Sequence, residues 1–101
     1  MANAIYSVIF KLKKNTSIPD YLAAAKKLND EYISKQKGYV SWQQCVDKDT
    51  WADLITFETM EDALLFQENS NEPNEHALAF YSFIKPSSCK ANLFTVEKTH
   101  Q

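Results

Sequence analysis

The chain has 101 residues, 45% of them hydrophobic, 13% aromatic and 24% charged, with a formal net charge of -2. That length fits a single domain spanning 1–101, and the near-neutral balance lacks the basic face that a nucleic-acid partner requires. All eleven basic residues are Lys and the only glycine is Gly38, so bidentate guanidinium clamps and glycine-rich phosphate loops are both excluded.

No apolar run approaches the roughly 18 residues that would cross a bilayer. The first ten residues alternate in polarity and do not follow a basic start with an apolar block, which argues against a secretory signal. A soluble cytoplasmic protein with no membrane association is the expectation. Cys45 and Cys89 stand far apart in sequence. They assemble neither a structural zinc site nor an iron–sulfur cluster, and read as buried or half-buried free thiols.

Residues 4–13, AIYSVIFKLK, read as a first strand. Tyr6, Val8, Phe10 and Leu12 fall on one face and Ile5, Ser7 and Ile9 on the other, so both faces call for cover. Ser17-Ile18-Pro19-Asp20 opens a helix, with Ser17 as the N-cap and Pro in the first turn. Ile18, Tyr21, Leu22, Ala25, Leu28 and Tyr32 form its apolar stripe. Gly38 is its natural stop, because glycine tolerates the left-handed conformation that ends helices.

Residues 39–46 and 51–58 alternate around the polar turn Asp47-Lys48-Asp49-Thr50 and read as a hairpin. Thr59-Met60-Glu61-Asp62 is a second capping signature, opening a helix through about Asn69 with Met60, Ala63, Leu64 and Phe66 on its apolar face. Ser70-Asn71-Glu72-Pro73 breaks that helix near 70–73. A further helix runs from about Pro73 to Ile84, with Ala77, Phe80, Tyr81 and Ile84 as its stripe. Residues 89–98 form the last strand.

This order predicts an α+β, ferredoxin-like βαββαβ domain with a four-stranded antiparallel sheet in the order 4-1-3-2. Cys45 and Cys89 then lie on opposite edge strands, out of disulfide reach. The helices cover one face of such a sheet. The other face would expose apolar residues, which soluble monomers rarely leave in water, so two copies packed sheet to sheet are expected.

The whole chain, over about residues 4–98, resembles the dimeric α+β barrel superfamily. It is similar to the small antibiotic-biosynthesis-monooxygenase-like and stress-responsive barrel proteins. The resemblance rests on topology and length and on the strand-to-helix stretch from Leu54 to Ala63. It implies a homodimeric barrel with a small apolar pocket in each subunit, between sheet and helices. It also implies a pocket used for cofactor-free oxygenation of aromatic substrates, for haem chemistry, for isomerisation or decarboxylation, or for no known reaction.

Tyr6, Trp42, Phe66, Phe80 and Tyr81 supply an aromatic-rich interior, suited to an apolar ligand, fatty-acid-like or aromatic, with ordinary core packing as the competing reading. Asn29 projects a polar amide into the stripe of the first helix, where it must either bond within the fold or address that ligand. His76, with Glu72 four residues upstream, is the candidate proton-transfer group of an enzyme such as a cofactor-independent monooxygenase or isomerase. No cofactor is expected. No metal is expected either, because His76 and Glu72 give at most two ligands.

Overall fold

A computed structural model describes residues 2–101. Strand β1 (Ala4–Lys11) leads into helix α1 (Ile18–Glu31), and a 3-10 turn at Ile33–Lys35 precedes β2 (Tyr39–Asp47). Strand β3 (Thr50–Phe57), helices α2 (Met60–Asn69) and α3 (Glu75–Tyr81), a second 3-10 turn at Pro86–Ser88 and β4 (Lys90–Thr95) complete the chain. The sheet is antiparallel throughout, in the order β2-β3-β1-β4. This is the ferredoxin-like arrangement expected from the element order, with the two central strands separated in sequence by α1 and β2.

Local chemistry explains the helix starts. The Ser17 hydroxyl accepts from the Asp20 amide at 3.3 Å, and the Thr59 hydroxyl accepts from the Asp62 amide at 3.1 Å. Each satisfies one of the amides that a helix N-terminus leaves without an internal partner. The third helix starts later than expected. It begins at Glu75 rather than about Pro73, with Asn74 as the cap, whose side-chain oxygen accepts from Ala77 N at 2.8 Å. It also stops at Tyr81, three residues short of Ile84.

Gly38 does not end α1. That helix stops at Glu31, where Tyr32 leaves helical geometry at φ -138°, and Gly38 instead takes φ +78° just before β2. The hairpin is tighter than expected. Asp47 pairs with Thr50, which leaves Lys48 and Asp49 as the loop, with Lys48 at φ 59°.

Register sorts the strands into two faces. Ala4, Tyr6, Val8 and Phe10 of β1 lie beside Phe57, Ile55, Asp53 and Trp51 of β3 on the face that the helices cover. Tyr21, Ala25 and Leu28 from α1, Ala63 and Phe66 from α2, and Ala77 and Phe80 from α3 close the core above them. The apolar stripes are narrower than their sequence spacing suggests. Ile18, Leu22 and Leu64 are 40%, 41% and 48% exposed, because each helix buries only the line of residues that points at the sheet.

The opposite face carries Ile5, Ile9, Leu54 and Phe94, interleaved with Ser7, Thr56 and Asn92. No element of the described residues covers it, and Ile9 and Phe94 are 42% and 53% exposed. Both cysteines are free and exposed rather than buried. Among the described residues, no helix is long and apolar enough to cross a membrane.

Candidate functional site

Between sheet and helices the core is incompletely filled. A cavity of about 400 Å³ opens there, within the size range of small-molecule sites. Its floor is the sheet, with Tyr6, Val8 and Phe10 from β1, Trp42 from β2, and Asp53 and Ile55 from β3. Leu28, Phe66, Phe80 and Tyr81 roof it from the three helices. The chain after α3 forms one rim. Lys13 N donates to Phe83 O, and Lys85 N donates to Lys11 O, both at 2.9 Å. Those bonds tie the segment to the end of β1 and bring Ile84, Pro86 and Cys89 to the cavity. Ser70, at the end of α2, completes it.

Six of the sixteen described lining residues are aromatic, and several of their rings are held at fixed angles. Tyr6 meets Phe66 edge to face at 5.5 Å, and Trp42 meets Phe80 edge to face at 5.5 Å. Phe80 is in turn stacked on the fully buried Tyr21 at 5.3 Å. These contacts fix the roof to the floor, so the cavity is a feature of a packed core rather than of a loose loop.

One charged side chain lies in this apolar setting. Asp53 is 5% exposed, because the alternation of β3 turns it inward between Trp51 and Ile55. Burial pushes its carboxyl up to about 7, and the Trp42 indole beside it acts in the opposite direction. Yet neither Trp42 Nε1 nor Asp53 Oδ1 has a hydrogen bond of ordinary length and angle. The indole N–H therefore faces the carboxyl without closing on it. Two polar atoms left so in a core cost stability and call for an explanation.

The neighbouring groups are neutral. Burial raises the Tyr6, Tyr21 and Tyr81 hydroxyls above their ordinary value, and for Tyr21 and Tyr81 the Asp53 charge adds to it. Partial burial and then Asp53 do the same to the Cys89 thiol, which removes the thiolate that nucleophilic chemistry would need. Gln44, the register partner of Asp53, donates to the Tyr21 hydroxyl at 3.4 Å. Among the described residues, no three His, Cys, Asp or Glu side chains gather as a metal site.

Five of the residues singled out from sequence, Tyr6, Trp42, Phe66, Phe80 and Tyr81, line the cavity. Asn29 does not. Its side-chain oxygen accepts from the Tyr39 hydroxyl at 3.0 Å, a bond inside the fold. His76 does not line it either. It lies in the first turn of α3 with Nε2 3.8 Å from Glu75, so Glu75, not Glu72, is its acidic neighbour. Asp53 was open to sequence reasoning through strand parity, since Trp51, Asp53, Ile55 and Phe57 form one alternating face in which it is the sole polar member.

Fold and cavity together define a ferredoxin-like α+β protein with an aromatic-walled internal site. No protein-family model matches the chain, and no curated protein matches it. Solved structures do match. SnoaB, a cofactor-independent oxygenase from Streptomyces nogalater, superimposes with a TM-score of 0.72 at 12% identity, over 98% of this chain and 97% of that one. A monooxygenase from the gene ActVA-Orf6 of Streptomyces coelicolor, in complex with nanaomycin D, gives 0.69 at 13% identity, over 99% and 92%. A dimeric ferredoxin-like protein from an uncultured marine organism gives 0.65 at 12% identity, over 100% and 93%. The fold is the one that the resemblance to monooxygenase-like barrels implies.

Proposed function

We propose that the chain is a homodimeric small-molecule-binding protein that holds an apolar compound, fatty-acid-like or aromatic, in the cavity between sheet and helices. The observation that carries this reading is the cavity itself, about 400 Å³ in volume and walled by rings locked to one another. A core normally packs to crystal-like density, and a void of this size forfeits contacts that a ligand would restore. The uncovered sheet face, with Ile5, Ile9, Leu54 and Phe94, supports pairing with a second copy. The dimeric marine relative of the same fold supports it too. Free, exposed thiols at Cys45 and Cys89 fit a reducing, cytoplasmic setting.

Native mass spectrometry of the freshly purified protein tests this reading. The expected result is a dimer whose subunits carry or take up one apolar molecule each. A monomer that takes up no such molecule would overturn it.

A second reading, a cofactor-independent monooxygenase or isomerase-type enzyme, is favoured by one specific observation. Asp53 presents a carboxyl inside the cavity, and burial pushes it up to about 7, where a general base operates best. Two solved neighbours of the same fold bear oxygenase names. In this reading Asp53, which lines the cavity, takes the proton-transfer role rather than His76, which does not. Asp53→Asn would then abolish turnover while His76→Ala kept it, and the reverse pattern would restore His76.

A further inference from the structure

The cavity is one-sided in charge. Among the described residues, Asp53 alone of the lining can ionise near neutral pH, since the Tyr6 and Tyr81 hydroxyls and the Cys89 thiol are all raised. No described Lys or His lines it, and the chain has no Arg at all. A carboxyl buried to this degree normally comes with a cation or with several hydrogen bonds. Among the described residues Asp53 has neither: it takes part in no ion pair there, and its Oδ1 lacks even one hydrogen bond.

We propose that the missing partner is the ligand, a small organic amine whose ammonium sits on Asp53 and whose apolar body lies among the rings of Trp42, Phe66 and Phe80. This rests on the small-molecule reading of the cavity and narrows it to one chemical class. An ammonium brings three donors to an acceptor-only carboxylate and forms the stronger, charge-assisted kind of hydrogen bond. Aromatic faces around it attract the same charge through their quadrupoles. The Trp42 indole N–H faces the carboxyl from β2 without bonding it. Once Asp53 is fully ionised, the indole N–H opposite Oδ1 gains a charged acceptor and can close on it. A carboxylate committed to an ammonium anchors its ligand instead of withdrawing a proton, so this inference belongs with binding and not with the enzyme reading.

The groups facing Asp53 leave that charge uncontested. Tyr21 comes from α1, Tyr81 from α3, Cys89 from the residue just before β4, and Trp42 and Gln44 from β2. Val8 and Ile55 are its apolar neighbours on the floor. None supplies a positive charge that an amine would have to displace.

Isothermal titration of the full chain with matched pairs of probes is the test. Naphthylmethylamine against naphthylmethanol, and benzylamine against benzyl alcohol, share an apolar body and differ only in the polar group. The amine is expected to bind about 10–100-fold more tightly than its alcohol at pH 8. Asp53→Asn is expected to bind both members of a pair alike. A second readout uses only the wild-type chain. The amine should bind roughly tenfold more tightly at pH 8 than at pH 6, as the carboxyl ionises, while the alcohol does not change. Equal affinity for amine and alcohol in the wild type would overturn the amine inference and leave the apolar-ligand reading standing. Binding of neither pair at millimolar concentration would overturn both.

Discussion

Asp62, in the first turn of α2, lies so close over Gly38 that a Cβ built on the glycine would meet its Cγ at 2.6 Å and its Cβ at 2.8 Å. Gly38 also holds φ +78°, a conformation that costs an L-residue about 1–2 kcal/mol. Both constraints act on Gly38→Ala, which should therefore destabilise the domain by about 2–4 kcal/mol in urea denaturation. The Asp62 Cβ contact remains when the carboxyl is removed. The double variant with Asp62→Ala should accordingly recover only part of the loss, and full recovery would mean that the backbone strain is negligible.

The Asp53 carboxyl makes stability depend on pH in a direction opposite to that of most acids. Its pKa is raised to about 7 in the folded chain, against roughly 4 for an ordinary carboxyl. Between these values the unfolded chain releases the proton while the folded chain keeps it. The contribution is thus fully present below about pH 4 and is lost as pH rises through about 7. Asp53→Asn should match the wild type near pH 4 and exceed it by about 2–4 kcal/mol at pH 8. Urea titrations at the two pH values measure this. A variant equally weakened at both would show that the carboxyl is structurally required in either form.

Phe80 joins the three parts of the site. It is 3% exposed, stacks on Tyr21, and meets Phe10 and Trp42 edge to face. Truncation leaves those rings without a partner and merges its volume with the existing cavity. Phe80→Ala should cost about 3–5 kcal/mol, and Phe80→Leu much less, because Leu refills most of the space. Thermal melting of both variants distinguishes this from a site that collapses. Near-neutral melting of Phe80→Ala would indicate collapse.

Much of this architecture is legible in the sequence because its signals are local. The Ser17 and Thr59 hydroxyls cap helices where their spacing to Asp20 and Asp62 says they should, and alternation defines the strands, though the helices decide which face is covered and a register shift at Tyr39–Ser41 interrupts β2. What stays hidden depends on distance across the fold. Gly38 advertises a left-handed position, but only the packing of Asp62 reveals which element it serves. His76 attracts attention as the histidine within an element, yet α3 is only the seven residues Glu75–Tyr81, and its first turn leaves His76 outside the cavity lining. Asn29 resembles a ligand contact until Tyr39, ten positions on, supplies its partner. Asp53 is the converse case. Parity places it inward, but its cost and its value follow from the absence of any cation nearby, which no single strand discloses.

The uncovered sheet face leads to the last prediction. Ile9 lies on this face, on the central strand β1, and is 42% exposed in the single subunit. A charge there is solvated as long as the face stays in water, so Ile9→Asp should cost an isolated subunit only about 1–2 kcal/mol, from lost β-propensity and partial burial. Between two stacked sheets the same carboxylate would be buried with only Lys90 opposite it on β4, and desolvating the pair costs several kcal/mol, repeated by the two-fold axis. Sedimentation at micromolar concentration should therefore find the wild type as a dimer and Ile9→Asp as a folded monomer with unchanged far-ultraviolet circular dichroism. If the variant remains dimeric, the copies meet through another surface, and the exposed Leu78 on α3 and Val46 on β2, at 57% and 55%, become the places to look.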